Sequence, residues 1–308
     1  MKKHFLAAIL LGTSVSVVSG ANLAPTRTAV SYGPYSSNLL DFWQVPGREA
    51  PTPVVIFFHS GAWLGGSRRE VETEGLQDFL AAGIAVVSVD YRFIREATDA
   101  GITPPVCAPM ADCARAVQYV RHMADQWGLD KNRVAFAGRS AGACTALWIG
   151  MHPEMADLSS SDPVLTESTR PFCIGVVDAQ TSLDPRDMRA WFGDGAQYGG
   201  HAFGLEKKPG ETEQGSFIRF EAAREELLPW IHQYSPIEFV SAEAPPMFLF
   251  YDMPPPGNGV HGAAFGLKLQ EKLQGIGVFC EVAWLGKNPA CEMNQKRFII
   301  EQLSPSLE

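Results

Sequence analysis

The chain has 308 residues, of which 46% are hydrophobic and 19% charged, and its formal net charge is −9 at pH 7. This composition is typical of a folded globular protein and excludes a disordered one. Because the chain is acidic and has no cluster of Lys and Arg larger than a pair such as Arg68 and Arg69, we expect it to bind neither nucleic acid nor an anionic membrane surface.

Residues 1–20, "MKKHFLAAILLGTSVSVVSG", have the layout of a secretory signal peptide. The start is basic, an apolar stretch follows from Phe5 to Val18, and small residues precede Ala21. The apolar stretch is shorter than a bilayer span and is interrupted by polar residues, and no later segment is long enough to cross a membrane. The sequence therefore predicts a secreted or periplasmic protein with no membrane span after signal cleavage.

Six cysteines remain in the predicted mature chain, and their spacings match no zinc-binding pattern. An exported protein can form disulfides, and Cys107 with Cys113, or Cys280 with Cys291, would close short loops. Buried free thiols are the alternative, and the spacing does not decide between them.

Alternating strand and helix patterns begin after the predicted signal. "TAVSY" (28–32) and "LLDFWQV" (39–45) read as strands around a Gly-Pro turn. "PVVIFF" (53–58) and "IAVVSVDY" (84–91) are continuous apolar runs, typical of strands buried on both faces, and the stretch 70–82 between them reads as a helix that stops at a glycine.

The alternation continues to the end of the chain. An amphipathic helix is predicted over 110–130, a strand over 133–137 and a helix after Ser140. The remaining predicted strands are 172–177, 246–251 and 278–284, with helical segments near 217–229, 261–275 and 291–303. Strands alternating with helices predict an α/β fold whose mainly parallel sheet is covered by helices on both faces.

We expect residues 21–308 to form one domain, because large α/β domains often have this length. Residues 155–240 contain only one apolar strand among many Gly, Pro and Ser residues. Inserted segments of this kind over the strand ends often form lids or substrate walls. We therefore expect a lid-like insert in this region.

Gly138, Ser140 and Gly142 form a GxSxG motif between a predicted strand and a predicted helix. This context is that of a nucleophile elbow, a strained turn that exposes the serine and requires small neighbours. The helix that follows would point its positive N-terminal end at the site, which favours an oxyanion.

A second motif, "FFHSGAWLGGS" (57–67), also lies at a strand end. Acyl transfer needs two backbone N–H donors for the oxyanion, one after the nucleophile and one from the loop after an earlier strand. Ala141 would supply the first donor, and Gly61 or Ala62 the second.

The segments "HSGAW", "VSVDYRF", "DCARAVQYVR" and "VAFAGRSAG" resemble, in this order, landmarks of α/β-hydrolase-fold carboxylesterases, in particular the hormone-sensitive-lipase and feruloyl-esterase-like branch. The resemblance covers residues 28–152 and is only topological afterwards. It implies an eight-stranded sheet, a triad in the chain order Ser, acid, His, and ester hydrolysis without a cofactor. The usual HGG is here His59, Ser60 and Gly61, and we expect His59 to be structural.

The position of the family's base is empty, because no histidine follows the last predicted strand. A serine without a base keeps its proton, so the base must be another histidine. His261, on the loop after the seventh strand, is our first candidate, and His201, flanked by glycines in the insert, is the alternative. As the orienting acid we predict Asp252 or, alternatively, Asp184.

Two functions remain open. The first is an exported serine hydrolase that cleaves a short acyl or aryl ester, either on a carbohydrate or on another alcohol, through an acyl-enzyme on Ser140. The second is a non-catalytic α/β-hydrolase-like binding protein that has lost the usual histidine. Motifs of zinc proteases, P-loop NTPases and dinucleotide-binding folds do not occur, and we expect neither a metal nor a cofactor.

Overall fold

A computed structural model describes residues 23–47, 51–195, 197–255, 259–287 and 294–304. The predicted signal peptide, residues 1–20, and Cys291 lie outside these residues. No helix in the described part of the chain is both long and apolar enough to cross a bilayer.

Eight strands form one sheet. In chain order they are β1 (Arg27–Ser31), β2 (Leu39–Trp43), β3 (Thr52–Phe58), β4 (Ala85–Val89), β5 (Leu129–Arg139), β6 (Cys173–Val177), β7 (Met247–Tyr251) and β8 (Cys280–Trp284). Their order across the sheet is β1-β2-β4-β3-β5-β6-β7-β8. β2 pairs antiparallel with β1 and with β4, and the other five pairings are parallel. The predicted eight-stranded, mainly parallel sheet is confirmed.

Ten α-helices connect or flank the strands in the described residues. They are α1 (Val71–Glu74), α2 (Leu76–Ala81), α3 (Ile94–Asp99), α4 (Cys107–His122), α5 (Ala124–Trp127), α6 (Ala141–Met151), α7 (Pro185–Phe192), α8 (Glu213–Tyr234), α9 (Ala264–Gln274) and α10 (Gln295–Leu303). The single helix predicted over 70–82 is interrupted at Gly75, whose φ is 125° and whose Cβ, if present, would lie 2.5 Å from the Lys296 side chain. The helix predicted near 217–229 is longer than expected, because the Thr212 side chain caps it at its start.

The core lies on both faces of the sheet. Along β3, Val54, Ile56 and Phe58 belong to one hydrophobic cluster, whereas Val55 and Phe57 belong to the other. Successive side chains of a strand point to opposite faces, so a strand buried on both sides needs a continuous apolar run. This is why the uninterrupted pattern of "PVVIFF" predicted a central strand correctly.

The long connection from β6 to β7 contains α7, α8 and two short turns of 3-10 helix, Gly200–Phe203 and Pro236–Phe239. It forms the larger part of the insert predicted over 155–240. Whether it acts as a lid stays a prediction.

Of the two alternatives for Cys107 and Cys113, the structure has free thiols and no disulfide. Both lie on α4, six positions apart, and a helix rises about 9 Å over six residues, which is too far for a disulfide. Cys280 is also a free thiol, and its expected partner Cys291 is outside the described residues.

Candidate active site

The tight turn between β5 and α6 holds Ser140. Its φ is 53° and its ψ is −119°, a strained conformation for a residue with a side chain. The Ser140 N–H donates to the Val177 carbonyl at 2.9 Å, and its own carbonyl accepts the Cys144 N–H at 2.9 Å. The turn is therefore anchored to β6 and to the helix, and it leaves the serine half-buried at the carboxyl edge of the sheet.

The two glycines of the motif allow the helix to approach the sheet. A Cβ atom on Gly142 would lie 2.0 Å from the Phe58 carbonyl oxygen, and one on Gly138 would lie 2.7 Å from the Gly142 backbone. Backbone atoms cannot rotate away as a side chain can. Any larger residue at either position would therefore push α6 away from β3 and move Ser140.

The loop after β3 has an unusual backbone. Gly61, Ala62 and Trp63 all have positive φ angles, 105°, 56° and 57°. Within the described chain, the N–H groups of Gly61 and Ala62 donate to no other group. The first N–H groups of a helix are also free, which applies to Ala141 at the start of α6. The predicted oxyanion donors are therefore all unpaired amides.

Two side chains fix this loop. The Trp63 indole N–H donates to the Thr145 hydroxyl of α6 at 3.0 Å, which ties the loop to the helix behind Ser140. His59 is fully buried, its Nδ1 lies 2.7 Å from the Ser60 carbonyl, and the Tyr91 hydroxyl donates to its carbonyl oxygen at 2.8 Å. Burial lowers the pKa of His59, so the ring stays neutral. These contacts are those of a structural histidine.

The structure brings His261 to the serine. His261 lies between β7 and α9, and its Nε2 is 2.9 Å from the Ser140 Oγ, within hydrogen-bond distance. β7 is separated from β5 by β6 alone, and the three strands are parallel. The loops that follow β5 and β7 therefore meet at the same edge of the sheet, which brings the two side chains together.

Asp178, a residue that the sequence did not single out, also lies near His261. Asp178 directly follows β6, has a positive φ of 55°, and its side chain is 3% exposed. Burial raises its pKa, as does the charge of Asp252, whereas the Asp252 N–H, the nearby His261 and Arg139 lower it. Asp178 is thus a buried carboxyl close enough to His261 for their charges to interact. The sequence feature that could have identified Asp178 is its position directly after the apolar strand β6.

Arg139, the residue before Ser140, gathers several carboxylates. It donates to Asp178 at 2.7 Å, to Asp252 at 2.8 Å and to Glu74 at 2.9 Å. The Asp252 N–H donates to Asp178 Oδ1 at 3.0 Å. Arg139 therefore offsets the repulsion between two neighbouring carboxylates, and its own pKa is raised by them despite burial, which lowers it.

No carboxylate among the described residues, neither Asp252 nor Asp184 nor Asp178, hydrogen-bonds to His261. The Asp252 carboxylate faces Arg139 and is 53% exposed, and among the described residues it has no hydrogen bond to a histidine. Asp184 caps α7 through the Arg186 N–H at 2.8 Å and forms an ion pair with Arg224 at 2.6 Å. The Asp184 carboxylate is therefore engaged by a helix cap and an ion pair.

His201, the alternative base, lies against the oxyanion loop and not against Ser140. Its Nε2 is 3.2 Å from the Ala62 carbonyl, and its ring packs near Trp63 and Tyr198. Burial lowers its pKa from 6.5 to about 4. Its contact supports the loop conformation at Ala62.

A cavity of about 510 Å³ opens beside the same loop. Ala62 belongs both to the oxyanion loop and to the cavity wall. The wall also contains Leu64, Tyr198, His201 and Phe217, so a large part of it is apolar or aromatic. Among the residues that the structure describes, no group of three or more His, Cys, Asp or Glu side chains could hold a metal ion.

Comparisons with known proteins identify the family of this chain. The sequence profile of the BD-FAE family matches residues 40–253. Esterase LipC of Mycobacterium tuberculosis is 33% identical over 142 residues, which are 44% of this chain and 31% of that protein. An arylesterase of Saccharolobus solfataricus is 33% identical over 102 residues, 32% of this chain and 29% of that protein. The aligned part thus spans about a third of the curated relatives that it matches.

Solved structures share the fold at low sequence identity. The acetyl ester-xyloside bifunctional hydrolase of Caldicellulosiruptor lactoaceticus superposes with a TM-score of 0.60 at 20% identity, covering 87% of this chain and 89% of that one. A truncated carbohydrate esterase from gut microbiota superposes with a TM-score of 0.66 at 20% identity, covering 92% of this chain and 98% of that one. The predicted resemblance to α/β-hydrolase-fold carboxylesterases is confirmed.

Proposed function

Because this chain belongs to the BD-FAE family, we propose that it is a serine ester hydrolase with Ser140 as nucleophile and His261 as base. The observation that carries the proposal is the 2.9 Å contact between the Ser140 hydroxyl and His261 Nε2. It supplies the base that the sequence lacks after the last strand. The alternative, a non-catalytic binding protein, depended on that missing histidine and loses its main support.

In the proposed reaction, His261 Nε2 takes the proton as Ser140 Oγ attacks the ester carbonyl. The N–H of Ala141, with that of Gly61 or Ala62, stabilises the tetrahedral oxyanion. His261 then returns the proton to the leaving alcohol oxygen as the carbon–oxygen bond breaks, which leaves an acyl-enzyme. A water molecule, deprotonated by the same ring, then attacks the acyl carbonyl, and the ring returns that proton to Ser140 Oγ as the bond between Oγ and the acyl carbon breaks, which releases the acid.

We assign the orienting acid to Asp178. A buried negative charge near His261 stabilises the imidazolium that forms when Ser140 loses its proton. Arg139 and the Asp252 N–H hold the Asp178 carboxylate in place.

We propose that the substrate is a small ester in which a short acyl or aryl group is attached to a carbohydrate. The names of two structural neighbours, an acetyl ester-xyloside hydrolase and a carbohydrate esterase, support this choice. The cavity of about 510 Å³ borders the loop after β3 at Ala62, and we propose that it receives one side of the substrate. The signal-like residues 1–20 support an exported location, secreted or periplasmic.

A fluorophosphonate probe tests the proposal, because it forms a covalent bond only with an activated serine. We expect the folded wild type to be labelled and to hydrolyse p-nitrophenyl acetate, and Ser140→Ala to do neither. An acetylated oligosaccharide should then be a better substrate than the free acetate ester of a simple alcohol. A folded wild type that is not labelled would favour the binding protein.

A further inference from the structure

The loop that carries His261 is attached to the segment that follows β6. The Gln180 side chain lies in that segment, and its Nε2 donates to the Val260 carbonyl at 2.6 Å and to the Asp178 carbonyl at 3.2 Å. Val260 directly precedes His261 in the chain. One amide therefore joins the residue before the proposed base to the backbone of the proposed acid.

The orientation of this amide is unambiguous. Both partners are carbonyl oxygens, which only accept hydrogen bonds, so the group that faces them is the NH2. Gln180 is fully buried, and its Oε1 has no hydrogen-bond partner in the described part of the chain. A buried acceptor without a partner is costly, and an apolar residue would avoid that cost. The Nε2 donors of Gln180, which bond to the Val260 and Asp178 carbonyls, are therefore the reason for a glutamine at this position.

Other contacts lie further along the chain, beyond His261. The Thr181 hydroxyl donates to the Phe265 carbonyl at 2.7 Å, at the start of α9. A Cβ atom on Gly262 would lie 2.3 Å from the Phe192 ring, so the ring limits that side of the loop. Among these contacts, that of Gln180 acts on the peptide group that leads into His261.

We infer that Gln180 is a positioning residue that sets the distance between His261 Nε2 and Ser140 Oγ. This inference rests on the proposed function. Proton transfer depends steeply on the distance between Oγ and Nε2, and a shift of about 1 Å can cost about 100-fold in rate. Without the Gln180 donor, the Val260 peptide is free to rotate and takes the imidazole with it. Because Gln180 is fully buried, its loss should change kcat and leave KM nearly unaltered.

Gln180→Met tests this inference, since methionine has a similar length and no donor. We expect kcat on p-nitrophenyl acetate and the rate of fluorophosphonate labelling to fall about 10- to 100-fold, with KM unchanged. Thr181→Val is the matched control. It removes a buried hydroxyl donor from the next residue, but its partner Phe265 is four positions past His261, so kcat should stay near that of the wild type. Thermal unfolding of each variant shows whether it is folded.

The double variant separates positioning from general destabilisation. If Gln180 acts through His261, Gln180→Met should have no further effect on the labelling rate in a His261→Ala background. An equal fold-loss in both backgrounds, or an unchanged kcat in the single variant, overturns the role of Gln180 while the proposed function stands. A wild type that neither hydrolyses esters nor reacts with the probe overturns both.

Discussion

The side chains of Ser140 and His261 meet at 2.9 Å although 121 positions separate them in the chain. Parallel strands end at the same edge of a sheet, and β5 and β7 both border β6. The base can therefore come from the loop after β7, and no histidine after β8 is needed. If this contact serves catalysis, substitution of either side chain should lower the rate of ester hydrolysis.

Replacement of His261 by alanine should lower kcat/KM for p-nitrophenyl acetate at least about 1,000-fold, because Ser140 then keeps its proton. His152→Ala is the control, since that ring bonds to the Pro153 carbonyl at 2.9 Å and should not affect the rate. Steady-state kinetics on both variants checks the assignment. Wild-type rates in His261→Ala would show that another residue, with His201 the next candidate, is the base.

Asp178→Asn should lower kcat on the order of 100-fold or more, because the imidazolium loses a buried negative charge. Asp252→Asn should cost less than about tenfold, since water screens a carboxylate that is 53% exposed. The comparison of kcat between the two variants decides which carboxylate supports His261. The reverse order of effects would return the role to Asp252.

Gly142→Ala should lower the free energy of unfolding by about 1–3 kcal/mol or more and abolish probe labelling of Ser140. The new methyl group would lie 2.0 Å from the Phe58 carbonyl oxygen, and only a backbone shift relieves that clash. Gly65→Ala is the control, because no atom lies within 4 Å of its added Cβ. Denaturant unfolding measures the free energy of unfolding of the two variants. Equal values for Gly142→Ala and Gly65→Ala would refute the close approach of α6 to β3.

Stability should fall as the pH is lowered from about 6.5 to about 4, partly because of His201. Burial lowers its pKa from 6.5 to about 4 in the folded protein. In this window the unfolded chain binds a proton that the folded chain does not, so the free energy of unfolding decreases, by up to about 3 kcal/mol from this residue. His201→Phe should show a smaller loss of stability between pH 7 and pH 5 than the wild type. An identical pH dependence would mean that His201 titrates normally.

Much of the fold could be predicted because its pattern is local. Continuous apolar runs such as "PVVIFF" predicted the buried strands, and the alternation with helices predicted a parallel sheet. Short elements were missed, among them α3 and α7, because fewer than nine residues carry little periodic signal. The break at Gly75 was missed as well, because a single glycine inside a helical pattern is often tolerated, whereas here its φ is 125°.

The carboxyl residue proposed to orient His261 could not be predicted from the local sequence pattern. The segment "DAQTSLDP" contains two aspartates, Asp178 and Asp184, and only Asp184 was predicted from the sequence as a candidate acid. The structure places the first beside Arg139 and near His261, and uses the second as a helix cap paired with Arg224. Arg139, His261 and Arg224 are all distant in the chain from these aspartates. No rule of residue spacing could therefore distinguish the roles of the two carboxyls.

The sequence by itself determined the order of strands and helices, the elbow around Ser140 and the glycines of the oxyanion loop, because each depends on neighbouring residues and backbone conformation. Only the tertiary structure decided which histidine lies within hydrogen-bond distance of the serine and which carboxyl lies near that histidine. Those contacts are made by loops that follow different strands, and their separation depends on strand order and on anchors such as Gln180. A reactive group is thus recognisable from its local turn, whereas its activation depends on groups that only the folded sheet brings together.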